Sequence, residues 1–292
     1  MEEEENLRKK LTLISSYDIL FSMRNFLFLL LLLLSCSRDY PIFSPHPGYF
    51  FPLAVGNQWN YIQTSTITNY PEQGDTFLFP SDTIHWEIKG RKVIRRWNTY
   101  ILQEDEYYFT QYYANLEDGF YQLAYSISNS THSYNPYKGK YKIRFKERTF
   151  NNIKELEIWI MNLGNFSKRD TLPLLDSLIH DIRKMLSYPP EVGDEWTFFN
   201  YPWYAVREII DIEEVETETG NFLCWKTRTL YDIDNDGILD SDIYWDEYYS
   251  DEGIIKRYFW LLIDIIDKNG VKVGEGEVED ILLLKDYNII LP

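Results

Sequence analysis

One stretch of this chain occurs twice. Phe51-Pro-Leu-Ala-Val-Gly-Asn-Gln-Trp-Asn-Tyr61 returns 137 residues later as Tyr188-Pro-Pro-Glu-Val-Gly-Asp-Glu-Trp-Thr-Phe198. Pro52, Val55, Gly56 and Trp59 match Pro189, Val192, Gly193 and Trp196, and four further positions are similar. Each copy reads as a turn feeding a strand. The proline fixes φ, the Gly-Asn or Gly-Asp pair takes the turn, and the tryptophan and the aromatic two residues on share one face. This repetition confines the fold to two related units. Because each tryptophan follows a turn, both rings are expected to seal a core rather than to stack on a sugar. A looser echo pairs Tyr112-Tyr113 and Asp118-Gly119-Phe120 with Tyr248-Tyr249 and Glu252-Gly253-Ile254.

Between these openings strand signals dominate. Lys140–Lys146 alternates basic residues with Tyr141, Ile143 and Phe145, and Leu156, Ile158 and Ile160 alternate in the next segment. Ile254–Ile266 is a long apolar strand that ends at a turn signal, Asn269-Gly270. A return strand is expected from Val271 and a last one at Ile281–Leu284. Strands at this spacing without intervening helices imply antiparallel sheets.

One segment departs from that pattern. Leu174, Leu175, Leu178, Ile179, Ile182, Met185 and Leu186 recur at helical spacing, with Pro173 in the first turn and Pro189-Pro190 beyond the end. The expected organisation is a β unit over 49–170, an amphipathic helix over 171–187 and a second β unit over 188–292. The expected class is mainly β, as antiparallel sheets or a half-barrel.

The core must supply the stability. Of the two cysteines, Cys36 and Cys224, the first sits at a processing signal, which leaves Cys224 without a disulfide partner. Aromatic residues make up 17% of the chain, enough to build a core from rings. The net charge of −17 would repel nucleic acid and anionic lipid headgroups.

The N-terminal region concerns location. Met23-Arg24 precedes an unbroken apolar run of nine residues, Phe26–Leu34, then Ser35 and Cys36. A basic start, a short apolar core and a small residue at the cut make a secretory signal peptide. The run is too short to span a bilayer as a helix. Glu2–Glu5 carry the wrong charge for such a start, so translation is expected to begin at Met23. Residues 1–22 then stand as an over-extended gene start, 23–35 as the signal peptide and 36–48 as a tether.

Leu33-Leu34-Ser35-Cys36 resembles the lipobox of bacterial lipoproteins. The resemblance implies cleavage before Cys36 and a lipid on its sulfur, hence a membrane partner and a place in the cell envelope. Ser37, rather than Asp, after the cysteine leans toward the outer membrane in that family. The Pro-x-x-Val-Gly-x-x-Trp opening, Thr219-Gly220-Asn221-Phe222 and Gly253-Ile254-Ile255-Lys256 resemble uncharacterised β-rich bacterial lipoproteins. The likeness is good over 188–257 and weak over 51–121. It implies a β-rich extracytoplasmic domain and no assigned activity.

The densest acidic cluster is Asp232-Ile-Asp234-Asn-Asp236-Gly237-Ile-Leu-Asp240-Ser-Asp242. Counted from Asp232, acids fall at positions 1, 3, 5 and 9 and glycine at 6, as in a calcium loop. Position 12 is Ile243 instead of the bidentate glutamate, so Asp240 and Asp242 would have to complete the oxygen shell. The same residues also read as a plain hairpin turn with solvated acids. Calcium is the one cofactor the sequence offers.

Nothing in the sequence spells out a reaction. The four histidines have no zinc spacing, and no nucleophile elbow or phosphate loop is present. Glu213-Glu214 and Asp246-Glu247 are adjacent, so their side chains leave a strand on opposite faces and cannot form a glycosidase pair. The expectation is a non-catalytic, membrane-anchored binding or envelope-assembly module, with a protein, glycan or hydrophobic ligand as partner. The alternatives are a half-barrel carrier of lipid or hydrophobic ligand, and a glycan-active hydrolase.

Overall fold

The structure is a computed structural model. It describes residues 51–69, 76–78, 81–104, 109–127, 141–151, 156, 182–200 and 203–290. The signal region, Cys36 and the tether lie outside these residues.

All fifteen described strands belong to one sheet, and every pairing in it is antiparallel. The first group is β1 (Gln58–Thr68), β2 (Thr76–Leu78), β3 (Asp82–Ile94), β4 (Trp97–Glu104), β5 (Phe109–Leu116) and β6 (Gly119–Ile127). Then come β7 (Lys142–Phe145), β8 (Arg148–Phe150) and β9 (Arg183–Ser187). The last group is β10 (Glu195–Phe199), β11 (Tyr204–Thr217), β12 (Gly220–Asp232), β13 (Ile243–Ser250), β14 (Gly253–Ile266) and β15 (Lys272–Asn288).

The spatial order is β10-β11-β12-β13-β14-β15-β1-β3-β4-β5-β6-β9. It reads as two meanders joined where β15 pairs with β1. β2 extends β1, while β7 and β8 form a short hairpin against the far end of β14. At the free ends of the path, β10 and β9 approach each other. Trp196 Nε1 donates to Lys184 O at 2.7 Å, and Arg207 Nη1 donates to Met185 O at 3.1 Å. The sheet therefore curls into a nearly closed barrel. Register shifts at Asn60/Tyr61, Ile88/Gly90, Tyr112/Tyr113, Ile209/Asp211 and Tyr248/Tyr249 supply the bends, because a bulge sharpens local twist.

Alternation places the core inside. On β1, Trp59, Tyr61, Gln63 and Ile67 are buried between half-buried neighbours. Partners in an antiparallel ladder share a face, so the ladder carries this inward face around the barrel.

Two expectations need correction. The helix expected over 171–187 fails at its end, where Arg183–Ser187 is strand β9 paired to β6. The apolar spacing there serves an edge strand whose carbonyls accept from Trp196 and Arg207. Residues 171–181 lie outside the described residues. A return strand from Val271 and a separate last strand at Ile281–Leu284 were expected; instead one strand, β15, runs unbroken from Lys272 to Asn288 and holds both. Gly276 lets the neighbouring strand approach; a Cβ there would meet Thr68 O at 2.8 Å.

Candidate ligand-binding lumen

The two repeated turns come first, because they close one end of the barrel. Gly56 and Gly193 have φ of 96° and 95°, the left-handed region glycine takes without a Cβ penalty. Asn57 N donates to Ala54 O, and Asp194 N to Glu191 O, both at 3.1 Å. Gly56 N donates to Ile88 O at 2.9 Å, and Gly193 N to Ile209 O at 2.8 Å. Ile88 N and Ile209 N return bonds of 2.9 Å to Asn57 O and Asp194 O. Pro52 O accepts from the buried Asn57 side chain at 2.8 Å; Pro189 directly follows Tyr188, whose hydroxyl accepts from Phe51 N at 2.8 Å. Trp59 is 1% exposed, and its Nε1 donates to Glu252 O at 2.7 Å. Trp196 is half-buried at the β9–β10 seam. Both rings are anchored by their N–H groups.

Above this closure the inward face turns polar. On β13 the residues Trp245, Glu247 and Tyr249 point in; Asp246 points out and pairs with Arg228 at 2.7 Å. The neighbours Asp246 and Glu247 thus lie on opposite faces of the strand. Glu247 is fully buried and holds two arginines. Arg207 Nη1 donates to its Oε2 at 2.7 Å, and Arg257 Nε faces its Oε1 at 2.7 Å as an ion pair off the hydrogen-bond axis. Tyr249 OH donates to Oε2 at 2.5 Å, and Arg207 Nε to Thr229 Oγ1 at 2.8 Å. Burial alone would raise the Glu247 pKa. The two arginines and the Tyr249 hydroxyl outweigh it and hold the carboxyl below its usual range. Burial, with Glu247 adding to it, pushes the Tyr249 phenol well up.

The ladder continues this belt. Arg257 pairs with Leu282, Leu282 with Gln63, and Ser65 with Asp280. Asp280 accepts from Gln63 Nε2 at 2.9 Å and from Ser65 Oγ. Trp86 Nε1 donates to Glu104 Oε2 at 3.1 Å. Apolar layers lie on either side, Phe51, Trp59 and Phe120 toward the turns and Ile67, Ile243, Leu261 and Val278 beyond. The Arg257 guanidinium sits 4.5 Å over Trp86 and 5.8 Å from Trp245, and its side chain keeps 13% exposure despite pointing inward.

On the outer face Tyr244 stacks with Trp260 at 5.3 Å and carries the Arg228 guanidinium 4.4 Å over its ring.

The acidic loop is brought together in part. Carboxylate oxygens of Asp232, Asp234 and Asp236 lie within 4.8 Å of one another. Asp232 already accepts from the backbone of Asp236 at 3.1 Å and of Gly237 at 3.0 Å. Asp240 and Asp242 turn to Lys146, at 2.6 and 3.1 Å. Three carboxylates can therefore face an ion, and the two meant to complete the shell are held by an ammonium group. Cys224 is buried, and burial pushes its thiol up, which leaves little thiolate.

The sequence singled out none of Arg207, Glu247, Arg257 or Trp245 as site residues. The available signal was the inward parity of β13 and β14, which puts Glu247 opposite Arg257 once the register is known.

No family model and no curated protein matches the chain. Among solved structures it is similar to a "putative lipoprotein" from Parabacteroides distasonis, at 15% identity and a TM-score of 0.29 over 82% of this chain and 98% of that one. It is also similar to a "putative exported protein with YmcC-like fold" from Bacteroides fragilis, at 14% identity and a TM-score of 0.27 over 82% and 99%. Both likenesses are too distant to transfer a role.

Proposed function

We propose that this chain is a lipid-tethered, non-catalytic binding module of the bacterial cell envelope, and that it takes its ligand in the barrel lumen. The two meanders are read as a duplicated unit, since the matched turns share their hydrogen bonds. One observation carries the binding assignment: a belt of charged and polar side chains stands between two apolar layers inside the barrel. A barrel built only for stability gains more from an apolar belt, because buried ion pairs recover little beyond their desolvation cost. Against catalysis stands the state of Glu247. Its pKa is lowered and its oxygens are engaged by Arg207, Arg257 and Tyr249, so it has no proton to donate. The tether assignment rests on the Leu33–Cys36 signal.

Two measurements test this function separately. Metabolic labelling with a fatty-acid analogue in a bacterial host marks the wild-type chain and not Cys36→Ala. Label retained by the variant removes the tether. Acrylamide quenching of tryptophan emission, compared between wild type and Trp245→Phe, reports whether small solutes reach the belt. Quenching that falls in the variant supports an accessible lumen. Identical quenching in the two chains means Trp245 is sealed in a solid core, and the lumen assignment falls.

A further inference from the structure

We infer that the lumen holds a carboxylate-bearing ligand at Arg257 and Trp245, an inference that rests on the lumen reading above. The argument is one of unspent donors. Trp245 Nε1 is buried and has no acceptor among the described residues. Arg257 makes one polar contact among them, the off-axis ion pair of its Nε with Glu247 Oε1, and its η nitrogens make no hydrogen bond to any described residue. A buried donor left unmade costs about 1–3 kcal/mol, so the Trp245 N–H, with a guanidinium edge 5.8 Å from its ring, calls for an acceptor that both can share.

The described residues do not supply one. Glu247 Oε2 is taken by Arg207 and Tyr249. Asp280 is turned to Gln63 and Ser65, and Glu104 to Trp86. What remains is a guanidinium fixed over the Trp86 ring with its η edge open, beside an indole N–H. Two parallel N–H groups of a guanidinium match the two oxygens of a carboxylate, a fork that a neutral carbonyl fills only by half. The rest of such a ligand would lie along Phe259 and Leu282, which flank Trp245 and Arg257 on the same face. Two sources of carboxylate suit an envelope protein, the head of a fatty acid and an acidic sugar.

The test is calorimetric titration of the Cys36→Ser chain, otherwise whole, with octanoate, with glucuronate, and with their neutral counterparts octanol and methyl glucoside. One carboxylate is expected to bind at one per chain, and its neutral counterpart at least about tenfold more weakly. Octanoate binding assigns the lipid source and glucuronate binding the glycan source. Arg257→Lys keeps the charge and loses the fork, so affinity is expected to drop about tenfold; Trp245→Phe lowers it less. Near-ultraviolet circular dichroism checks that both variants keep the wild-type core. Failure of both carboxylates at ten millimolar, or equal binding of acid and neutral counterpart, overturns the inference and leaves water as the acceptor. An unchanged affinity in Arg257→Lys overturns it too. If quenching shows an accessible Trp245 and the titrations are flat, only the carboxylate falls. If Trp245 is sealed, the lumen reading falls first.

Discussion

The two copies of the turn motif share three backbone hydrogen bonds around their glycines and part at their tryptophans. Trp59 is sealed, because β1 is zipped to β15 along ten residue pairs and the β13–β14 turn covers its ring. Trp196 stays half-buried, because β10 has β11 on one side and only side-chain bridges to β9 on the other. Eight identical or similar residues therefore set the same turn, while the strand that arrives next to each turn sets the burial. A second matched position shows the same thing. Tyr113 OH donates to Gln111, and Tyr249 OH donates to Glu247. One meander carries an amide where the other carries a charge with two arginines on it.

The largest contrast is expected from the tryptophans. Trp59→Ala should cost about 3–5 kcal/mol, the range for large aromatic truncations in cores, and Trp196→Ala about half of that. Urea unfolding of both variants measures it. Equal losses would mean that the seam protects its tryptophan as well as the full ladder does.

Glu247→Gln turns the second meander into the first at the matched position. It strands Arg207 and Arg257 without a counter-charge, for a loss of about 3 kcal/mol near neutral pH. The sign with pH follows from the lowered Glu247 pKa. The unfolded carboxyl titrates near 4.5 and the folded one below that. The ion pairs therefore contribute fully above pH 4.5, and their contribution is lost as pH falls through the folded value. Melting midpoints of wild type should drop below pH 4.5 more steeply than those of the variant. Parallel curves would show that other carboxylates dominate the acid limb.

Next come the turn glycines. Gly56→Ala and Gly193→Ala both force a side chain into positive φ, at about 1–2 kcal/mol each. Gly56 should cost more, since its Cβ would meet Ile290 Cδ1 at 3.1 Å while that of Gly193 meets nothing within 4 Å. A reversed order in urea unfolding would break the picture of one turn in two settings.

The smallest effect belongs to the acidic loop, where three carboxylates remain after Lys146 takes two. With a dissociation constant of about a millimolar, one millimolar Ca²⁺ would stabilise the fold by about 0.4 kcal/mol, a midpoint shift of about 1–2 °C. Asp234→Ala with Asp236→Ala should erase the shift. Equal midpoints in calcium and in chelator would leave the loop an ordinary turn.

Much of this molecule is local and was legible as such. Alternation gave the strands, because residues two apart share a face whatever lies opposite. Val-Gly-Asn and Val-Gly-Asp gave the turns, because positive φ selects glycine at that position. The parity of Asp246 and Glu247 separated an outward carboxylate from an inward one before any partner was known. The end of the expected helix at Arg183–Ser187 was misread because Met185 and Leu186 fit both periods, and pairing with β6 chose the strand. Only the tertiary structure could choose the site. Arg207, Glu247 and Arg257 stand on three different strands, and their contact depends on register, bulges and the closing curl of the sheet. No local spacing encodes those, because a ladder is set by the strand across from it. The same holds for Lys146, which reaches Asp240 from 94 residues away and takes the two carboxylates that the acidic loop needs to complete its shell.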